Sequence, residues 1–319
     1  MLSICLKSFV VHSSSLLCVI CLLCLTGCGD SSDPESTGSE ARSKRLEVVT
    51  SNYPLFYFTM QMTKGMDQAF DVTLPDFPDD PAQWQPQKED IVLLQSADLV
   101  VTNGAGYENW LNWVSVPSAN VLNTAEQLGH RLIEQSETIK HQHGPGGDHS
   151  HSVVAFTTWL DPVLAASQAD AITAELVSRS AEHQDRLRQN LTDLQVRFKT
   201  LDEDLADVLS GLEEPVLFSH PVYQYLEARY ALNAVSLHWE PREQPDTAQW
   251  IELQQILKTH PARLLIWEDT PTRETVERLA EFGIRSVVFR TAARETGPGD
   301  YFEVMKENVA EISAALADF

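Results

Sequence analysis

Eight apolar residues recur at spacings of four and three along one stretch: Leu187, Leu191, Leu194, Phe198, Leu201, Leu205, Val208 and Leu212. In an α-helix that alternation puts them all on one stripe. The positions between are mostly polar or charged, among them Arg186, Arg188, Asp193, Lys199, Glu203 and Asp207. No Pro or Gly interrupts residues 181–210; Gly211 and Pro215 end the run, and Ser180 stands where a cap belongs. About thirty residues at 1.5 Å each make a rod of about 45 Å. That is long for a helix inside one globular domain. The stripe fits a coiled-coil seam between two chains. It fits equally a spine packed between two lobes of one chain, and strand–helix units on both sides favour the spine.

Those flanking units read in order. Strand candidates are 46–50, 70–74 and 98–102, with helices at 55–62, 88–96 and from Tyr107 to Trp113. A helix follows Asp161-Pro162 to about Val177. Beyond the spine, strands at 216–219, 234–237, 264–267 and 286–289 alternate with helices at 222–230, 247–259, 272–282 and 300–315. Alternation of this kind means βαβ units and parallel sheets. The expected fold is therefore α/β: two Rossmann-like lobes with parallel sheets, joined by a long rigid spine helix. The expected divisions are 1–27 (leader), 28–45 (tether), 46–179 (amino-terminal lobe), 180–212 (spine) and 213–319 (carboxyl-terminal lobe).

The cysteines bear on where the chain works. All five lie at Cys5, Cys18, Cys21, Cys24 and Cys28. The C-x-x-C spacings fall inside the apolar run 16–25, behind Lys7, so they belong to a secretory leader and not to a metal or redox site. Leu25-Thr26-Gly27-Cys28 resembles a bacterial lipobox, which makes Cys28 the lipidation site of an exported protein. Residues 29–44 are rich in Ser, Gly, Asp and Glu and read as a flexible tether. The formal charge is −23, and removing the single Lys of residues 1–27 takes it to −24. Such a chain repels nucleic acid and anionic membrane surfaces and tolerates cations.

Two regions carry candidate ligands. Residues 140–152 hold His141, His143, His149 and His151 around Gly144-Pro145-Gly146-Gly147. Glycine and proline there argue against regular structure. The segment is either a low-complexity surface loop or a loose metal-collecting loop of neutral imidazoles. In the second lobe, His220, His238 and Glu268 each follow a predicted strand, where open α/β sheets bind ligands. Two imidazoles and a carboxylate make a zinc set, though each residue alone also fits a loop hydrogen bond. Enzyme signatures are weak. Phe218-Ser219-His220-Pro221 lacks the glycines of a nucleophile elbow, and there is no His-Glu-x-x-His or Walker loop. A metal-dependent hydrolase is the least supported class.

Several segments together resemble the zinc/manganese-binding lipoproteins of bacterial ABC importers. They include Val49-Thr50-Ser51-Asn52-Tyr53-Pro54, Asp80-Pro81-Ala82-Gln83-Trp84-Gln85-Pro86, and the run 97–111 with Asn103-Gly104-Ala105-Gly106-Tyr107 at its centre. Trp159-Leu160-Asp161-Pro162, Phe218-Ser219-His220, Pro241-Arg242-Glu243-Gln244-Pro245 and residues 301–308 follow in the family's order. The resemblance implies an extracytoplasmic solute-binding protein, a monomer and not an enzyme. It would be lipid-anchored to a membrane and would pass a divalent cation, zinc first and manganese second, to an ABC permease. It implies His220 as a ligand. It also shows departures: Ala82, Thr157 and Thr291 stand where the family carries its other ligands. His238 and Glu268 are then the compensating candidates, and Trp84 and Trp159 are expected to line the cleft. The alternative is the same fold with a lost metal site, binding a metal chelate or other small molecule or serving as an accessory surface lipoprotein.

Overall fold

The computed structural model describes residues 45–77, 81–134, 140–142, 148–150, 154–295 and 299–317. These fall in one compact unit, Ser43–Phe319. The first sheet takes β1 (Leu46–Thr50), β2 (Phe70–Thr73), β3 (Leu99–Thr102) and β4 (Val121–Asn123), with α1 (Tyr53–Met62) and α2 (Lys88–Ser96) as crossovers. Its order is β2-β1-β3-β4, all parallel, with Val49 beside Val100. A short antiparallel ribbon follows, β5 (Lys140–Gln142) and β6 (Asp148–Ser150). Then come α3 (Pro162–Arg179) and the spine, α4 (Gln184–Leu209). The second sheet takes β7 (Val216–Phe218), β8 (Ala234–Ser236), β9 (Leu264–Trp267) and β10 (Arg285–Val288) in the order β10-β9-β7-β8, again all parallel. Its helices are α5 (Gln224–Tyr230), α6 (Thr247–Thr259), α7 (Arg273–Glu281) and α8 (Tyr301–Leu316). Counted from its own first strand, each sheet reads 2-1-3-4. β3 and β9 are buried at every residue, as strands covered on both faces must be.

Short polar residues start the helices. Asn52 accepts from the Leu55 amide at 3.0 Å ahead of α1, with Pro54 in the first turn. Asp161 does the same for α3, with Pro162 in the first turn, and Asp300 forms a capping box with Glu303 on α8. Asp246 and Gln249 form a capping box on α6.

The spine is a helix of 26 residues, preceded by a tight 3-10 turn at Ala181–His183. Ser180 does not cap it. Its amide closes α3 on the Leu176 carbonyl and its hydroxyl meets His183 Nδ1 at 2.8 Å, so α3 and α4 meet at a sharp corner. The buried face is Leu187, Asn190, Leu194, Phe198, Leu201, Leu205 and Leu209. Leu191 and Val208 sit half-buried at its edges, and Leu212 lies past the helix end. A straight helix turns every 3.6 residues, so a strict three-and-four alternation drifts off the contact line, and the last contact moves from 208 to 209. Asn190 belongs to the stripe because its amide donates to the Met62 and Lys64 carbonyls at 2.7 and 3.1 Å, satisfying the end of α1. Phe198 packs on Phe58 of α1 and Phe302 of α8 with ring centroids 5.0 and 5.1 Å apart. Beside it Arg197 stacks on Phe302 and pairs with Asp300, which also accepts from Tyr57. The stripe therefore touches helices of both lobes within one chain.

Two local expectations change. Tyr107–Trp113 is not an α-helix but a 3-10 turn at Asn109–Asn112. The histidine-rich segment contains paired strands, with a further bridge between Glu134 and Val154 at its base. The Gly-Pro-Gly-Gly run between these strands lies outside the described residues. Among the described residues no helix is long and apolar enough to cross a membrane.

Candidate metal-binding cleft

A cleft of about 760 Å³ opens between the carboxyl edges of the two sheets; Tyr107, Phe156 and Trp159 line one side and His220, Glu240 and Glu268 the other. In the second sheet the chain leaves β7 and β9 at the point where strand order reverses, and neighbouring strand ends there leave a crevice. His220 follows β7 and Glu268 follows β9, so both stand at that crevice.

His220 is 8% exposed. The Ser219 amide donates to the Ile266 carbonyl and the Val222 amide to the His220 carbonyl, both at 2.9 Å, which fixes the turn that carries it. Leu237 and Trp239 extend the β8 pairing beyond the strand end, donating to the Phe218 and Ser219 carbonyls at 2.7 and 2.9 Å. The Trp239 ring goes into the core against Trp250 and Trp267. Side chains alternate along an extended chain, so His238 and Glu240 turn the other way. Glu240 Oε1 then lies 3.7 Å from His220 Nε2, and the His238 ring stands edge-on to His220 at 6.1 Å. His238 is exposed, outside the cleft lining, so of the compensating candidates only Glu268 faces the cleft with His220. Burial pushes the neighbouring Tyr223 hydroxyl far above its ordinary range, and the Glu268 charge adds to that. Among the described residues no three His, Cys, Asp or Glu side chains already converge at metal-holding distance.

Ala82, Thr157 and Thr291 make other contacts. Ala82 is buried in the core. Thr157 donates its hydroxyl to the Val222 carbonyl at 2.6 Å, two residues past His220. The Thr291 carbonyl accepts from Trp159 Nε1 at 2.7 Å, and Tyr301 donates to the Trp159 carbonyl at 2.6 Å. These bonds stitch the two sides of the cleft together. Trp159 lines the cleft as expected, but Trp84 does not. Its ring is held in the first lobe's core between Phe77 and Trp110, at 4.9 and 5.7 Å.

The family described as zinc-uptake complex component A, periplasmic (ZnuA), matches residues 48–315. The chain belongs to the ZnuA family. A relative, the high-affinity zinc uptake system protein ZnuA of Bacillus subtilis (strain 168), is 27% identical over 316 residues, spanning 93% of this chain and 95% of its own. The zinc-binding protein AdcA of Streptococcus pyogenes serotype M1 is 25% identical over 285 residues. That match covers 83% of this chain but only 55% of AdcA, a much longer protein. The crystal structure of the metal-dependent lipoprotein YcdH from Bacillus subtilis superposes with a TM-score of 0.72 at 23% identity, covering 85% of this chain and 98% of that one. Zn(II)-bound AdcA from Streptococcus pneumoniae gives 0.70 at 21%, covering 85% and 57%. These structures share the fold of two parallel-sheet lobes about a long helix. The ZnuA family is a solute-binding component of transport systems.

Two features of this ZnuA-family chain leave little mark on its sequence. The signal for Glu240 is only its place two residues after His238 and beside an inward Trp239, which puts it on the same side as His238. The other is Glu108, which follows the glycines of the turn after β3. It is buried, and it accepts from the Ser51 hydroxyl at 2.5 Å, the Asn103 amide at 2.6 Å and the Gly104 amide at 2.9 Å. Gly104 has a positive φ, and a Cβ there would lie 1.9 Å from Asn123 Oδ1, so only glycine fits this turn. Burial raises the Glu108 carboxyl to about 6, and the three hydrogen bonds hold it back from rising further. In the ribbon, His141 and His149 are direct register partners. His143, His151 and Cys28 lie outside the described residues.

Proposed function

We propose that this chain is the extracytoplasmic zinc-binding component of an ABC importer, holding one zinc ion in the interlobe cleft and handing it to the permease. The observation that carries the reading is His220. It is a nearly buried imidazole at the strand-order reversal of the second sheet, in a cleft with Glu240 and Glu268, in a chain of a zinc-uptake family. Neutral imidazole and carboxylate oxygens are the donors zinc takes. The relatives' names speak of zinc uptake and zinc binding, which puts zinc ahead of manganese. No covalent chemistry is involved. The chain acts as a monomer, exported by its leader and anchored by lipid at Cys28, with the tether letting it reach the permease. His141, His143, His149 and His151 collect zinc loosely.

The test is a competition titration with zinc, and separately manganese, on the full chain with the four loop histidines replaced by asparagine. One tight zinc site per chain, lost in His220→Ala, is the expected result. A parent protein with no tight site contradicts the reading.

A further inference from the structure

We propose that Glu240 is a metal ligand, the carboxylate partner of His220, so that the carboxyl-terminal lobe alone supplies the protein ligands. The inference rests on the cleft reading above and names a residue of that site. Two ligands held 2.0–2.2 Å from one tetrahedral zinc are about 3.4 Å apart. His220 Nε2 and Glu240 Oε1 are 3.7 Å apart. That separation exceeds a hydrogen bond between the two, yet it is within a few tenths of an ångström of a shared ion. Little movement is needed, because the backbone on both sides is fixed. Trp239 is bonded to Ser219 next to His220, and its ring is locked between two other tryptophans. A rigid support of this kind is what positions a ligand well.

Among the described residues, the opposite wall of the cleft carries no imidazole or carboxylate. Ala82 is a methyl in the core, and the Thr157 hydroxyl is spent on the Val222 carbonyl. Tyr107, Phe156 and Trp159 give that side an aromatic face. Glu268, on the same lobe as His220, and water take the remaining positions. Zinc held by one lobe loads without any change in the angle between lobes, which suits a chain whose lobes are stitched together across the cleft.

The experiment uses the full chain with the loop histidines replaced, titrated with zinc and, for its visible spectrum, with cobalt. Glu240→Gln is expected to lower zinc affinity at least about 100-fold, more than a supporting residue costs. It should also change the cobalt absorption, while the metal-free thermal midpoint stays put. Glu240→His supplies a different ligand at the same place and is expected to recover affinity to within about tenfold of the parent. A Glu240→Gln affinity within threefold of the parent overturns the assignment, and so does failure of Glu240→His to recover binding, which would mean that only charge matters. If His220→Ala loses zinc and Glu240→Gln keeps it, the cleft reading survives and this inference falls. A parent without a tight site overturns both.

Discussion

The two lobes share a strand order and differ in what they do at the same point of it. Each sheet reads 2-1-3-4 from its own first strand, and in each the crevice opens beyond the first and third strands. In the amino-terminal lobe that point holds Ser51 after β1 and Asn103-Gly104 after β3. Glu108 folds back and spends its carboxylate on all three. Asn103 in turn bonds the Phe156 carbonyl and accepts from Thr158 and Gln168, so the knot is closed on itself. In the carboxyl-terminal lobe the same point holds His220 after β7 and Glu268 after β9, with Glu240 alongside, and all three line the cleft. Topology provides the place in both lobes. Side-chain chemistry decides whether the place holds the protein's own backbone or a ligand.

The sharpest way to break this comparison is to exchange the readouts. His220→Ala should cost at least about 1,000-fold in zinc affinity, about 4 kcal/mol, with metal-free stability changed by less than about 1 kcal/mol in urea unfolding. Glu108→Gln should do the reverse. An amide cannot accept from both the Asn103 and Gly104 amides, so a buried donor loses its partner and stability falls by about 1–3 kcal/mol, while zinc affinity stays within about threefold. If Glu108→Gln disturbs zinc as much as stability, the knot is part of the site and the contrast fails.

Glu108 also makes a pH prediction. Burial, its main perturbation, raises the carboxyl from 4.5 to about 6. A carboxyl that binds its proton more tightly when folded contributes most below the unfolded value. That contribution is complete below about pH 4.5 and is lost as pH rises through 6. The gap is worth about 2 kcal/mol. Stability measured from pH 4 to 7 should carry that decline from this group, and the Glu108→Gln protein should lack it. A wild-type profile parallel to the variant's would contradict the placement of this carboxyl.

A smaller effect sharpens the comparison from the other side. Thr157→His gives the first lobe an imidazole facing the cleft and removes its bond to Val222. It should raise zinc affinity about tenfold, about 1.4 kcal/mol, by adding an N donor to the set. No gain would mean that the first lobe's wall is too far from the ion to take part.

How far the sequence could be read follows from the range of each signal. The spine was legible because a periodic stripe records burial directly, and Phe198 lies at its centre in both readings. Asn190 was not legible, because its burial depends on carbonyls at the end of a helix more than a hundred residues earlier. Strands such as Leu264–Trp267 were legible as short apolar runs, while Val121–Asn123 is too short to stand out and is made a strand by β3 beside it. In the cleft, His220 was legible from its position after a strand. Glu240 was not, since its approach to His220 depends on pairing between residues 237–239 and 218–219 beyond the strand ends. Trp84 shows the opposite case. Its neighbours in sequence point to the cleft, but Phe77 and Trp110 hold its ring inside the lobe.

The most direct measurement is a crystal structure of the full chain grown with zinc, with anomalous diffraction recorded on both sides of the zinc absorption edge. The account predicts one strong peak in the cleft, about 2.0–2.1 Å from His220 Nε2 and 2.0–2.2 Å from a Glu240 oxygen, with no ligand from Ala82 or Thr157. Peaks confined to the histidine-rich ribbon, with the His220 crevice empty, would contradict it.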